Sequence, residues 1–523
     1  MKISSYIVGE WKAGSGEGTP LIDPATGEIL ALAGSDDLNL GQALTFARQK
    51  GTHGLQGFTY KQRADLLSKI ADVLVANRDT YYEICLRNMG ATKGDAAFDV
   101  DGAIYTLKQY GKFGQSLDGR MIKDGAPVPL SKSGAFQGQH FLKPLEGVAV
   151  LINAFNFPAW GLWEKAAPAL LSGVAVLVKP ATPTALLTQR MVEDVVKAGI
   201  LPGGVLSILC GSAGDLLEHV DAQDVISFTG SAATAKKIKS NANVIAKAVR
   251  VNIEADSLNS AILGPDAPGS QPFELLAKEV VKEMTQKAGQ KCTAIRRVLV
   301  PRSHAKQVSE AIVKALAGIA VGNPRNPEMK CGPLINKAQQ KSVLDGIAEL
   351  KREAKVVYGD DENFQPLDAD RSASCFVQPT LLFCEEPLQA KSVHDVEVFG
   401  PVATIMPYDS TEQAIDIANR GKGSLVSSIF SDDAEFKAAV TLGIAGAHGR
   451  VMVVDSSVGA QHTGHGNVMP NCLHGGPGRA GGGEELAGLR ALYLYHRRFV
   501  VQGPPELLNK ISEQAIDISA LHG

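Results

Sequence analysis

From Gly147 onward, short aliphatic runs alternate with longer amphipathic stretches. Residues 148–152 read as a strand, 160–171 as an apolar helix and 174–178 as a second strand. A helix is predicted over 184–198, then a Leu201-Pro202-Gly203-Gly204 turn and strands at 205–209 and 225–228. These strands are short and mainly apolar, with no in/out alternation, which indicates a parallel sheet covered on both faces. A second region starts near Ala255. There Phe273, Leu276, Ala277, Val280, Val281 and Met284 recur at intervals of three and four, one face of a helix. That helix is predicted to stop at Lys287-Ala288-Gly289, a basic residue followed by glycine, which leaves Cys292 in a loop. Strands at 298–300 and 402–406 and a helix over 304–319 extend the alternation into a second α/β region. Residues 473–483 are too glycine-rich for helix or strand and read as a loop, whereas 493–501 reads as an edge strand that could pair with another subunit.

The length of 523 residues corresponds to about three structural units at roughly 150 residues each. No segment repeats, and 45% apolar against 20% charged residues describes a chain with a large core. Lys and Arg number 52 against 55 Asp and Glu, a net charge of −3, so nothing drives binding to nucleic acid or an anionic membrane. The N-terminus lacks the roughly 7–15 consecutive apolar residues of a signal peptide, and no later run is long enough to span a bilayer. A cytoplasmic location is expected. The seven cysteines form no C-x-x-C pair, so neither a disulfide framework nor a cysteine zinc site is indicated.

A reactive cysteine needs thiolate character, which electropositive turns provide. Cys292 has Lys291, Arg296 and Arg297 close in sequence, while Cys210 ends an aliphatic run and reads as packing. Glu254 ends the run 249–253, at the edge of a strand where α/β sheets place ligands, and could act as a general base. Asn156 lies in a strand-to-helix turn, where its amide could stabilise an oxyanion. Taken singly, these residues read equally as a buried thiol, an ion-paired loop carboxylate and a turn amide. Gly211-Ser212-Ala213-Gly214 and Phe228-Thr229-Gly230-Ser231 each follow a strand and precede a helix, a setting suited to phosphate, but neither is a G-x-G-x-x-G. His448, His462, His465 and His474 crowd one region without the spacing of a zinc site, so no metal is assigned and hydrogen bonding in a substrate loop is the expected role.

Together these motifs resemble the aldehyde dehydrogenase superfamily, from about Tyr6 to Gly503. The resemblance rests on 152–158, on Lys179-Pro180-Ala181-Thr182, on 228–231, on Gly289-Gln290-Lys291-Cys292 and on Glu397-Val398-Phe399-Gly400-Pro401. It implies an α/β fold: a Rossmann-like NADP-binding domain over 1–122 and 146–255 and an α/β catalytic domain over 256–481. Oligomerisation segments over 123–145 and 482–523 complete it, and a homodimer or dimer of dimers is implied. It further implies Cys292 as nucleophile, Glu254 as base, Asn156 as oxyanion donor, and Lys165 and Glu485 as charge and proton partners, with Glu484 an alternative to Glu485. Phe155, Lys179, Thr182, Gly211, Phe228, Thr229, Gly230, Ser231, Glu397 and Phe399 are the implied cofactor contacts.

Where the family usually has Glu-Leu-Gly-Gly, this chain has Glu254-Ala255-Asp256-Ser257. That departure is shared by the aldehyde dehydrogenases of aerobic CoA-thioester pathways for aromatic degradation, which also carry sequences like 285–297 and 474–486. In the phenylacetate pathway such a domain is fused to a hydratase, so 523 residues point to a stand-alone member like that of benzoate degradation. The implied substrate is a CoA-thioester semialdehyde, with simple aliphatic or aromatic aldehydes as the competing class and a non-catalytic homologue as a third reading. Thr182 stands where NAD-using members often carry glutamate, so NADP is expected over NAD.

Overall fold

The structure, a computed structural model, describes residues 1–521 and is built on two seven-stranded sheets. In the first, Arg250–Glu254, Val225–Thr229, Val148–Ile152, Ala175–Lys179 and Leu206–Ile208 lie parallel in that order. The N-terminal hairpin Ser5–Ile7 and Glu10–Lys12 closes one edge antiparallel. Val148–Leu151 and Val225–Phe228 are buried without alternation because helices cover both faces. One cover is Trp160–Ser172, buried almost all round and stopped by Gly173 in the left-handed conformation (φ 91°). It packs against Lys93–Gly114, whose start is fixed by reciprocal Thr92 and Asp95 capping bonds.

The second sheet runs Lys355–Tyr358, Thr380–Phe383, Val402–Tyr408, Ile295–Pro301, Asn259–Leu263, Ser424–Phe430, His448–Val454, all parallel except the first. A four-stranded sheet stands apart, in the order His496–Gly503, Gln137–Pro144, Met121–Pro129, Ala515–Asp517. Its edge strand His496–Gly503 leaves Phe499 and Val500 exposed. Among the described residues no helix is long and apolar enough to cross a membrane.

Three local expectations change. The helix Gln271–Thr285 ends before Lys287, and Lys287 and Ala288 both take left-handed φ, 53° and 52°. That bend is held by a bond from the Lys287 amide to buried Asp95 (2.9 Å), and a Cβ on Gly289 would meet the Gly400 carbonyl at 2.1 Å. Residues 493–495 belong to the 3₁₀ segment Gly488–Tyr495, so the edge strand begins only at His496. The glycine-rich stretch is not all loop: Leu473–Gly475 pairs antiparallel with Glu484–Leu486, with His474 opposite Glu485. Glycine permits this close approach, since a Cβ on Gly475 would meet the Gly483 carbonyl at 2.0 Å.

Candidate active site

Glu254 ends its strand opposite Thr229. Cys292 sits on the turn leading into Ile295–Pro301, and the Asn259 amide holds this turn by the carbonyls of Cys292 (2.8 Å) and Ala294 (2.9 Å). His465 fixes the same turn, linking Ser428 Oγ (2.6 Å) to the Thr293 carbonyl (2.8 Å). Glu254 and Cys292 therefore meet, with Asn156, in one cleft that Thr229, Glu164, Trp160, Val468 and His474 also line. Cys292, Glu254 and His474 bring their Sγ, carboxylate and ring nitrogen atoms within 4.8 Å of one another.

The sequence neighbours of Cys292 do not activate it. Lys291 is fully buried against Glu283 (2.7 Å), Arg296 is spent on the carbonyls of Gly400, Gly289 and Lys291, and Arg297 on those of Leu258, Ile417 and Ala418. Burial and the adjacent Glu254 carboxylate instead push the Cys292 thiol well above its ordinary range. The thiol is thereby held in its neutral form beside Glu254.

Beneath the cleft lies a buried charged set. Lys165 Nζ bonds Glu164 (3.0 Å) and Glu485 (2.9 Å), and Glu485 also accepts from Ser227 and Asn252, each at 2.9 Å. Burial opposes the charge on Lys165, but the two carboxylates outweigh it and raise the ammonium well above its usual value. Burial raises Glu164. Burial works the same way on Glu254, yet the charge and hydrogen bond of His474, with Lys165 behind, hold that carboxyl at about 2. His474 is raised in return, its own burial outweighed by Glu254. Of the two candidate glutamates, Glu485 is the buried one and Glu484 points to solvent.

The residues implied for the cofactor make the following contacts. Phe155 and Phe399 meet edge to face at 5.8 Å, with the Arg296 guanidinium 5.5 Å from the Phe399 ring centre. Glu397 accepts from the Ser257 amide (3.3 Å) through Oε2, and burial pushes its carboxyl up to about 7. Phe228 is buried below Gly230, whose amide donates to the Glu254 carbonyl (3.1 Å), and Ser231 caps the helix Ala232–Lys239. Thr182 Oγ1 donates to the Gly211 carbonyl (3.3 Å), where a Cβ on Gly211 would meet the Ser35 amide nitrogen at 2.7 Å. Lys179 loses basicity to burial and has no carboxylate partner among the described residues. Glu397 Oε1 and Thr229 Oγ1 are buried without a partner among the described residues, so these side chains fit a polyhydroxylated, phosphorylated ligand such as a nicotinamide dinucleotide.

For two side chains at the cleft, sequence reasoning missed the contacts they make there. Glu164 had a signal, a carboxylate beside a lysine on an otherwise apolar helix. His474 had none, since only folding brings it to Glu254, Nε2 to Oε2 at 3.0 Å. The other histidines serve locally: His448 meets the Ile444 carbonyl, and His462 accepts from the Gly464 amide.

The sequence matches the aldehyde dehydrogenase family over residues 11–469. It is 59% identical over 479 residues, 91% of this chain and 93% of the relative, to a 3,4-dehydroadipyl-CoA semialdehyde dehydrogenase of Aromatoleum evansii. A D-glyceraldehyde dehydrogenase (NADP(+)) of Picrophilus torridus is 27% identical over 449 residues, 83% of this chain and 85% of its own. The fold superposes on a betaine aldehyde dehydrogenase of Staphylococcus aureus with a TM-score of 0.82 over 96% of each chain, at 23% identity. The chain therefore belongs to the aldehyde dehydrogenase family and is an α/β oxidoreductase of that family.

Proposed function

We propose that this enzyme oxidises a CoA-thioester semialdehyde, of the 3,4-dehydroadipyl-CoA semialdehyde type, to the free carboxylic acid with NADP, in aerobic benzoate degradation. The observation carrying the chemistry is the meeting of Cys292, Glu254 and Asn156 in one cleft. The 59% identity to the Aromatoleum relative supports the substrate class. Cys292 Sγ attacks the aldehyde carbon and its proton passes to Glu254. The carbonyl π pair moves to oxygen, where the Asn156 amide and the Cys292 backbone N–H hold the oxyanion. The bound nicotinamide supplies the acceptor for the hydride that leaves the aldehyde carbon, so a thioester remains on Cys292. Glu254, having released its first proton, takes one from water as the water oxygen attacks and returns it to sulfur as the C–S bond breaks, which restores the thiol. Lys165 and Glu485 complete the path by which the first proton leaves, since they adjoin Glu254 below the cleft.

For the cofactor, Lys179 and Thr182 would hold the adenosine ribose, Glu397 the nicotinamide ribose, and Gly211, Thr229, Gly230 and Ser231 the phosphates, with Phe155, Phe228 and Phe399 packing around them. A lysine free of any carboxylate beside a threonine supports NADP over NAD, because an acid there would repel a 2′-phosphate. Residues 1–122 and 146–255 form the cofactor domain and 256–481 the catalytic domain. The exposed edge His496–Gly503 supports pairing of subunits in a cytoplasmic homodimer or dimer of dimers.

The test is NADPH formation with dehydroadipyl-CoA semialdehyde against simple aliphatic and aromatic aldehydes, each with NADP and NAD. The CoA substrate is expected to give the highest kcat/KM and the free acid as product. Equal or better turnover of simple aldehydes overturns the substrate assignment.

A further inference from the structure

His474 has no place in the chemistry above, yet its imidazole is buried at the wall of the cleft. Its Nε2 lies 3.0 Å from Glu254 Oε2, while Glu254 Oε1 is buried with no partner among the described hydrogen bonds, and Cys292 Sγ lies within 4.8 Å of the Glu254 carboxylate. The ring has little freedom to be elsewhere. Its strand Leu473–Gly475 is clamped between Glu484–Leu486 and neighbouring backbone, since a Cβ on Gly476 would meet the Ser424 carbonyl at 2.3 Å and one on Gly449 the Gly475 carbonyl at 1.7 Å.

We infer that His474 is a positioning residue for the aldehyde oxidation: it anchors Glu254 through Oε2 and so leaves Oε1 as the free base oxygen beside Cys292. The inference rests on the reaction proposed above for its purpose, but its test does not need an aldehyde.

The charges around Glu254 explain why an anchor is required. Three carboxylates, Glu164, Glu254 and Glu485, place oxygens within 4.8 Å of one another. The helix Trp160–Ser172 contributes Glu164 and the cation Lys165, the strand Glu484–Leu486 contributes Glu485, the strand Leu473–Gly475 contributes His474, and the nucleophile turn contributes the neutral Cys292 thiol. Without His474, Lys165 alone faces three carboxylates, and it is already bonded to Glu164 and Glu485. Glu254 would then take up a proton, because burial and like charge both disfavour the ionised form. A protonated Glu254 cannot accept the thiol proton from Cys292. With His474 present, burial is outweighed and the carboxylate persists through the whole working range.

The test measures the rate at which iodoacetamide alkylates Cys292 between pH 5.5 and 8 in the free enzyme, followed by mass of the Cys292 peptide. In this reaction the S–C bond forms, iodide leaves and the proton passes to Glu254. In the wild type the rate is expected to change less than about threefold across the range, because the base stays ionised. In His474→Leu it is expected to fall at least about tenfold from pH 8 to pH 6, and in His474→Gln, which keeps a donor without the charge, by an intermediate factor. A profile in His474→Leu parallel to the wild type overturns the inference. If the leucine variant does not fold, the glutamine variant decides: a profile identical to the wild type overturns the inference, and an acid-side loss supports it. Where the wild type oxidises no aldehyde yet the alkylation profiles shift as stated, the proposed function fails and the role of His474 stands.

Discussion

Lys165 and Lys179 are separated by one helix and one strand end, yet their surroundings are opposite. Lys165 is locked between Glu164 and Glu485, and these carboxylates outweigh its burial and raise its basicity. Lys179 lies at the rim of the first sheet, partly open to solvent, and burial lowers its basicity with no acid among the described residues to compensate. The pair teaches that the molecule holds two charge environments, two poles. One pole keeps its own charges neutralised, the arrangement that the proposed proton path uses. The other leaves a cation unpaired, ready for a charge that only a ligand brings.

The division makes the effects of substitutions separable: changes at the first pole should fall on kcat, those at the second on the KM of the cofactor. The largest effect is expected for Cys292→Ala, which should lower NADPH formation by about 10³-fold or more while cofactor binding, read by fluorescence quenching, stays intact. Loss of binding as well would mean that the poles are not independent. Asn156→Ala removes an oxyanion donor and is expected to cost about 10²–10³ in kcat with little change in cofactor KM. An unchanged kcat would take Asn156 out of the reaction pole.

Smaller effects sharpen the second pole. Thr182→Glu places a carboxylate beside Lys179 and is expected to shift the NADP/NAD ratio of kcat/KM toward NAD by about tenfold, leaving kcat nearly unchanged. A ratio unaffected by this change would remove the ribose assignment. The smallest effect is in pH. Burial pushes Glu397 up to about 7, so its carboxylate, the form proposed to accept from ribose hydroxyls, is lost as pH falls through that value. The cofactor KM is expected to rise roughly threefold between pH 8 and pH 6 and to lose this dependence in Glu397→Gln. A flat profile in the wild type would show that Glu397 does not meet the ribose as an acceptor.

Strands of the first sheet such as Val148–Ile152 were readable because residues buried on two faces are mainly apolar, with no in/out alternation, whereas only two of the seven strands of the second sheet were read in this way. Where glycine dominates, that signal disappears. The ladder Leu473–Gly475 with Glu484–Leu486 exists because backbones approach too closely for any side chain, a condition set by the partner strand rather than by the residues themselves. The left-handed Lys287 and Ala288 were equally invisible, since Asp95, far away in the chain, supplies the bond that holds them.

By itself the sequence determined the fold class, the family and the residues that carry the thiol, the carboxylate and the amide, because each stands in a local motif at a strand boundary. Only the tertiary structure decided their electrical state. It spent Arg296, Arg297 and Lys291 on carbonyls and on Glu283, selected Glu485 over Glu484, and set His474 against Glu254. Charge interactions depend on distance and on the exclusion of water, and neither is a property of neighbours in the chain.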